Sequence, residues 1–311
     1  MENCPLLICI VGPTCTGKTT LSLNLARSLG CDIVSADSRQ FYREMNIGTA
    51  KPIPEERGDI MHHFIDFLSI HDSYSAGHFE RDALPRLNEI FSVKRVVILV
   101  GGSGLYVQAV CHGFPPLPDT DKDIRNELDE ILRKEGLKGW LTRLEKSDPG
   151  YYNTVDKNNT RRIQRALEVC MITGKKFSDL RAGKPAPRPF RIIKIGLAIE
   201  KKELSVRIAR RTQAMVTAGL FNETRSLFPY RHLKPLHTVG YSEIFEFFEG
   251  KCSKLEAIEN IRKNTLKYAT KQMTWFKRDK DIKWYHPVDE NGIIGFLKSH
   301  NLNISYQEVR K

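Results

Sequence analysis

The stretch "ICIVGPTCTGKTTLSLNLA" (residues 8–26) runs from apolar residues through a glycine-rich turn into a helix-patterned segment. Within it Gly12, Pro13, Thr14, Cys15, Thr16, Gly17, Lys18 and Thr19 satisfy the spacing G-x-x-x-x-G-K-[ST]. Glycines in such a loop let backbone N–H groups turn inward around phosphate oxygens, and the helix N-terminus that follows adds partial positive charge. Lys18 is placed to neutralise the terminal phosphates, and the Thr19 hydroxyl to ligate Mg²⁺. The loop holds a di- or triphosphate. It does not say whose, or what becomes of it.

Outward from the loop, Leu6–Val11 reads as a buried strand, residues 19–29 as a helix and Asp32–Ser35 as a second strand. "HHFIDFLS" (62–69) reads as a further strand, 76–92 as a helix, and "RVVILV" (95–100) as a β-branched strand closed by Gly101 and Gly102. Alternation of strands and helices implies a parallel α/β sheet. Two proline clusters, "FPPLPD" (114–119) and "GKPAPRPF" (183–190), bracket charged sequence that is helix-patterned and poor in strands. "RIIKIGLAI" (191–199) then resumes a strand, and from Lys202 onward the chain reads as helical. There "SKLEAIENIRK" (253–263) opens with Ser253 and Glu256 at capping-box spacing. The expected fold is an α/β P-loop core with a parallel sheet, in two pieces (1–114 and 191–311). An all-helical insert (115–190) interrupts it and basic C-terminal helices end it.

At 311 residues the chain is long for one domain and short for three, which fits a core with an insert. A hydrophobic share of 41% against 28% charged residues is enough to bury an ordinary globular core. No apolar run approaches the roughly 18 residues of a membrane span, and "MENCPLLICIVG" lacks the basic start of a signal peptide. Seven cysteines without a C-x-x-C pair read as reduced, mostly buried thiols of a cytoplasmic protein. His62 and His63 have no third ligand at metal spacing, so a zinc site is not expected. Lys and Arg exceed Asp and Glu by 49 to 37, a surplus that suits a polyanionic partner.

Hydrolytic P-loop proteins need an acid at the end of a later strand, and here "VVILV" runs into Gly101-Gly102-Ser103-Gly104. That weakens a motor or switch reading. Asp37 ends the second strand, at the sheet edge where doubly wound folds bind substrates. A carboxylate there could take a proton from an incoming nucleophile, cap a helix, or stand behind Mg²⁺. Arg161, Arg162 and Arg165 share one helical stretch, with Arg161 and Arg165 four apart on one face. Arg262, Lys263, Lys267, Lys271, Lys277 and Arg278 interleave with Tyr268, Trp275 and Phe276. Such patterns grip single-stranded nucleic acid; they also arise as solvated faces and core aromatics.

Taken together the motifs resemble the tRNA dimethylallyltransferase (tRNA isopentenyltransferase) family over roughly residues 6–280. "GPTCTGKT" (12–19) is similar to its P-loop and "ADSRQFYREMNIGTAKP" (36–52) to its most diagnostic signature. "HHFID", "YSAGHF", "GGSGLYVQAV", "RRIQRALEVCMITGK", "RIARRTQAMVTAGL", "HTVGYSE" and "YATKQMTWFKR" follow in family order. The resemblance implies that the loop binds dimethylallyl diphosphate, and that the group passes to N6 of the adenosine 3′ of the anticodon. The phosphate would then be a leaving group, so no acid to activate water is needed.

By the same resemblance Asp37 is the general base and contacts the flipped adenosine, with Ser38, Arg39 and Gln40 completing a tRNA-contacting tetrapeptide. Arg211 stabilises the departing diphosphate beside Lys18. Ser103, Arg125, Arg161, Arg162, Ile163, Gln164, Arg165, Val239, Gly240 and Tyr241 match tRNA-contacting positions. Ser103 stands where the family usually has Thr, Asn159 where it often has Asp, and "TKQMTW" (270–275) where Lys-Arg-Gln-x-Thr-Trp is usual, keeping Gln272, Thr274 and Trp275. No Cys/His pattern follows Trp284, as expected of the bacterial form. The implied partners are the tRNA anticodon stem-loop and dimethylallyl diphosphate, with Mg²⁺ as cofactor, no membrane, and a cytoplasmic monomer. Two rival enzymes share the P-loop and Asp37: an adenylate dimethylallyltransferase using a free nucleotide, and a small-molecule kinase. A non-catalytic RNA-binding module would leave both features without a use.

Overall fold

Leucine, isoleucine and valine occupy every position of β1 (Leu6–Val11) except Cys9, and all six residues are buried. A strand apolar on both faces has to be covered on both, which is how a central parallel strand behaves. A computed structural model, describing residues 4–302, places it so. The outermost ends of the two core pieces read from the sequence, 1–3 and 303–311, lie outside the described residues.

After β1 come α1 (Lys18–Leu29), β2 (Asp32–Ser35), α2 (Pro54–Arg57), β3 (His62–His63), α3 (Ala76–Phe91), β4 (Val96–Gly101) and α4 (Gly104–Cys111). Four helices follow: α5 (Lys122–Ser147), α6 (Pro149–Thr154), α7 (Thr160–Thr173) and α8 (Phe177–Arg181). The chain then makes β5 (Arg191–Leu197), α9 (Lys201–Thr217), α10 (Leu220–Leu227), α11 (Ser242–Phe248), α12 (Lys254–Phe276), β6 (Ile282–Tyr285) and α13 (Glu290–Lys298). Residues His112–Pro187 form one compact unit and the rest of the described chain another, against 115–190 read from the proline clusters.

The six strands run parallel in the order β3-β2-β4-β1-β5-β6, with Ile8 opposite both Ile98 and Ile193. Alternation sends Leu7, Cys9, Val97 and Leu99 to one face, under α3, α4 and α12 residues such as Phe79, Val110 and Phe276. It sends Ile8, Ile10, Ile98 and Ile195 to the other, under Leu25 of α1 and Ile293 of α13. Four of the seven cysteines are buried, and none is in a disulfide.

Two readings need correction. Of "HHFIDFLS" only His62 and His63 pair as strand, because Phe64 (φ 60°) and Asp66 (φ 56°) turn the chain into left-handed backbone. Buried Lys51 holds that turn by an ion pair to Asp66. The C-terminal region is also not helical throughout: β6 adds a sixth strand, with Trp284 beside Gly196 of β5. The capping box at α12 forms as its spacing predicts, with Ser253 Oγ accepting from Glu256 N–H at 3.2 Å and Glu256 from Ser253 N–H at 2.7 Å.

The helical unit has its own core, in which Trp140, Leu144, Ile163, Leu167 and Phe177 meet. Its long helix α5 breaks at Gly136, whose φ of 66° and ψ of −169° are not helical.

Candidate active site

The P-loop is shaped by three residues with positive φ: Gly12 (136°), Cys15 (64°) and Gly17 (89°). Such alternation turns successive N–H groups toward one side and makes a concavity for an anion. Gly12 has a second reason to lack a side chain, since a Cβ would stand 2.4 Å from the Leu197 carbonyl of β5. The Pro13 carbonyl ties the loop to itself, accepting from Thr16 Oγ1 (2.9 Å) and Lys18 Nζ (2.6 Å). Gln272 of α12 locks the loop to the end of β4: its Oε1 accepts from Thr14 N–H (2.9 Å) and its Nε2 donates to the Gly102 carbonyl (2.8 Å). The place where a hydrolytic enzyme would carry its acid is taken up by this amide.

A cavity of about 550 Å³ opens over the loop. Thr14, Cys15, Gly17, Lys18, Thr19, Asp37, Arg39, Gln40, Arg211, Val239, Gly240, Tyr268 and Gln272 all line it. Arg211 reaches in from α9 and donates to Thr14 Oγ1 at 3.1 Å and Cys15 Sγ at 3.6 Å. Burial lowers the Lys18 ammonium to about 8, with Arg211 adding to the effect and Asp37 opposing it. A partly buried ammonium with no carboxylate bonded to it among the described residues is ready for an anion.

Asp37 does not cap a helix. Its Oδ1 accepts from Arg39 N–H (3.0 Å) in a tight turn that the Gln40 N–H to Asp37 carbonyl bond closes (3.1 Å). The other carboxylate oxygen has no partner among the described residues. Ser103 supports the same turn, accepting from Ser38 N–H at 3.0 Å and lying 3.1 Å from Ser38 Oγ. Tyr268 stands over this end; burial and the neighbouring Asp37 charge push its hydroxyl up to about 12.

Other expected contacts are placed differently. Tyr241 is fully buried against Gly48 with its hydroxyl on Glu223 (2.7 Å), and Gly240 is buried with its N–H on Glu243 (2.8 Å). The Tyr241 side chain therefore supports a wall and does not present itself to RNA. In the helical unit Ile163 is fully buried, so its side chain is core as well. Gln164 donates to Asp129 (3.0 Å). Arg125 and Arg165 both grip Glu168, a fully buried carboxylate, at 2.9 and 2.8 Å, and Arg165 also donates to the Pro118 carbonyl (2.5 Å). Arg161 and Arg162 are exposed. Of the α12 aromatics, Phe276 is core and Trp275 packs against it, while Tyr268 belongs to the cavity.

Over residues 40–279 the chain matches the IPP transferase family. Over 288 residues it is 46% identical to tRNA dimethylallyltransferase 1 of Porphyromonas gingivalis, covering 93% of this chain and 96% of that protein. The chain belongs to the IPP transferase family. Among solved structures it is similar to the full-length tRNA isopentenylpyrophosphate transferase of Bacillus halodurans, with 35% identity, 98% and 96% coverage and a TM-score of 0.69. It is also similar to a eukaryotic dimethylallyltransferase acting on tRNA, with 26% identity, 98% and 82% coverage and a TM-score of 0.82. For an IPP transferase, two cavity features went unread in the sequence. Tyr268 reads in the sequence as an RNA-stacking or core aromatic, and the fold makes it a cavity wall. Gln272 reads in the sequence as a motif position without a stated task, and the fold shows that it bridges Thr14 and Gly102.

Proposed function

We propose that this chain transfers the dimethylallyl group of dimethylallyl diphosphate to N6 of the adenosine 3′-adjacent to the anticodon of tRNA, releasing diphosphate. The observation that carries the reading is one cavity in which Lys18 and Arg211 face the same space as the free oxygen of Asp37. Cations at one end suit a leaving diphosphate, and a carboxylate nearby suits proton removal from an amine. The names of the relatives, which act on tRNA, favour a tRNA acceptor over a free nucleotide.

As the allylic C–O bond breaks, its electron pair leaves with the diphosphate and positive character grows on the prenyl carbon. The N6 lone pair forms the new C–N bond, and Asp37 takes the N6 proton. Lys18 and Arg211, which line the cavity over the loop, would turn their N–H groups to the charge that grows on the leaving group. Preorganised donors of this kind are usually the largest catalytic contribution. Mg²⁺ fits the site, because Thr19 Oγ1 opens on the cavity without a partner among the described residues. Bound there with diphosphate oxygens and water, it would help neutralise the leaving group. Exposed Arg161 and Arg162, with the lysines of α12, offer charge to the anticodon stem-loop. The reading has the protein working on tRNA in the cytoplasm as a monomer; none of its described helices is long and apolar enough to cross a membrane.

The test uses purified protein, Mg²⁺, labelled dimethylallyl diphosphate and unmodified tRNA with adenosine 3′ of the anticodon. Label in the tRNA, with one diphosphate released per transfer, is the expected result. Label in AMP but not in tRNA would reassign the acceptor. ADP formed from ATP and a small alcohol would make the protein a kinase.

A further inference from the structure

Two walls of the cavity are loops: residues 48–50 and residues 238–240. Each is held from behind by one carboxylate. Glu223, on α10, accepts from the backbone N–H groups of Asn46 (3.2 Å), Ile47 (2.8 Å) and Gly48 (3.0 Å), and from the Tyr241 hydroxyl (2.7 Å). Glu243, on α11, accepts from Gly240 N–H and from Asn264 Nδ2 of α12, both at 2.8 Å. Tyr241 joins the two walls. Its ring lies so close to Gly48 that a Cβ there would stand 2.5 Å from it.

The turn at 46–50 is also tied from its inner side. Gln40 Nε2 donates to the carbonyls of Thr49 and Ala50 at 3.4 Å, and the Gln40 N–H closes the Asp37 turn. Position is therefore handed from Glu223 through the 46–50 turn and Gln40 to Asp37. Glu223 does not line the cavity and reaches no reacting atom.

We propose that Glu223 is a positioning residue for prenyl transfer, fixing the 46–50 turn and through Gln40 the Asp37 turn. The inference rests on the reading of Asp37 as proton acceptor. A carboxylate is the group required. Both its oxygens are used twice, and ionised acceptors bind N–H groups more strongly than neutral ones. A glutamine of the same shape has one acceptor oxygen and would turn its NH₂ toward two donors.

The experiment compares wild type, Glu223→Gln and Tyr241→Phe, with turnover measured at saturating tRNA and dimethylallyl diphosphate. Folding is checked by circular dichroism and amide exchange. In Glu223→Gln the amides of residues 46–48 should lose protection while those of the P-loop keep it. Turnover should fall about 10- to 100-fold, the scale of a misplacement near 1 Å. KM for dimethylallyl diphosphate should hold within about twofold, since only transition-state geometry is disturbed. Tyr241→Phe keeps the ring on Gly48, loses one donor and should show a smaller loss of the same kind.

Wild-type turnover in Glu223→Gln with loosened 46–48 amides would overturn the proposal. So would an equal loss of diphosphate binding, which would mark general scaffolding. Should Glu223→Gln not fold, Tyr241→Phe decides: a lowered turnover with unchanged KM supports the proposal, and unchanged turnover overturns it. A wild-type protein that transfers no prenyl group would fail the functional reading instead, and amide exchange would still report on the clamp.

Discussion

Arg211 and Arg165 are both expected to bind substrate, and their settings are opposite. Arg211 rests on a hydroxyl and a thiol of the P-loop, with no carboxylate partner among the described residues. Arg165 is clamped between a buried carboxylate, Glu168, and the Pro118 carbonyl. The first guanidinium keeps its charge for an anion. The second shares the Glu168 carboxylate with Arg125, is committed to contacts inside its own unit and holds that unit together, since Glu168 also reaches the Asp121 N–H of the α5 N-cap. An arginine in a motif is therefore not by itself a ligand contact; what its guanidinium is already bound to decides.

The largest effect should come from neither arginine but from Asp37, at the uncompensated end of the comparison. Asp37→Asn keeps an oxygen for the Arg39 N–H, so the turn survives. Removing a negative charge near Lys18 leaves diphosphate binding intact or stronger. Single-turnover transfer should fall about 10²- to 10⁴-fold, the usual worth of a positioned base. A wild-type rate would end the assignment of Asp37 as base.

The two arginines should then separate cleanly. Arg211→Ala should lower turnover about 10²- to 10³-fold, as loss of one preorganised donor to developing charge does, and leave thermal stability close to wild type. Arg165→Ala should do the reverse. It leaves a fully buried carboxylate short of one partner, at roughly 1–3 kcal/mol of stability, with turnover at saturating tRNA maintained. Thermal melts and saturating turnover on both variants check this, and a turnover collapse in Arg165→Ala with an unchanged melt would erase the contrast.

The same distinction marks what could be read from the sequence. β1, the P-loop and α1 were legible because the motif's glycines, lysine and threonine lie within eight positions and fix a local geometry, even where the fold adds distant reasons such as the Leu197 carbonyl against Gly12. The role of Asp37 was open between base, cap and Mg²⁺ neighbour until the turn at Arg39 and Gln40 excluded the cap. Glu168 reads beside Arg165 as an ordinary surface i,i+3 pair, because the partners that bury it, Arg125 and Asp121, are more than forty residues away. β6 was missed because "IKWY" becomes a strand only through its pairing with β5, opposite Gly196. In "HHFIDFLS" the apolar pattern was real but serves an aromatic cluster, Phe64 and Phe67 packing on Phe41 and Phe79, and not a sheet.

Lys18 gives a smaller, pH-dependent effect. Its folded value of about 8 lies below the roughly 10.4 of a free lysine. Holding it charged in the fold is unfavourable below pH 8, and that cost is relieved as pH rises from about 8 to about 10.4, so over this window the stability of the unliganded protein increases with pH. Diphosphate favours the charged form, so binding near pH 8 should take up a fraction of a proton, and affinity should fall as pH rises past 8. Calorimetry at pH 8 in two buffers of different ionisation heat reads the uptake directly. Lys18→Ala should abolish it, and a wild-type signal independent of buffer would show that the lysine is already fully charged.

The smallest effect belongs to Arg161 and Arg162, exposed on the same helix as the clamped Arg165. If they meet RNA phosphates they release counterions on binding, and each lost contact should lower the log–log salt slope by about 0.7 for a single-stranded loop. The Arg161→Ala, Arg162→Ala double variant should show this against an anticodon stem-loop at several salt concentrations, with an unchanged melt, because neither side chain is buried. Arg165→Ala should leave the slope near wild type, since that guanidinium is bound to Glu168 and the Pro118 carbonyl and is not offered to RNA. The two measurements together exclude the trivial outcome, in which any loss of positive charge weakens binding to any polyanion. Should the double variant keep the wild-type slope, the exposed arginines are a solvated face, and the charge that holds tRNA must be sought on α12.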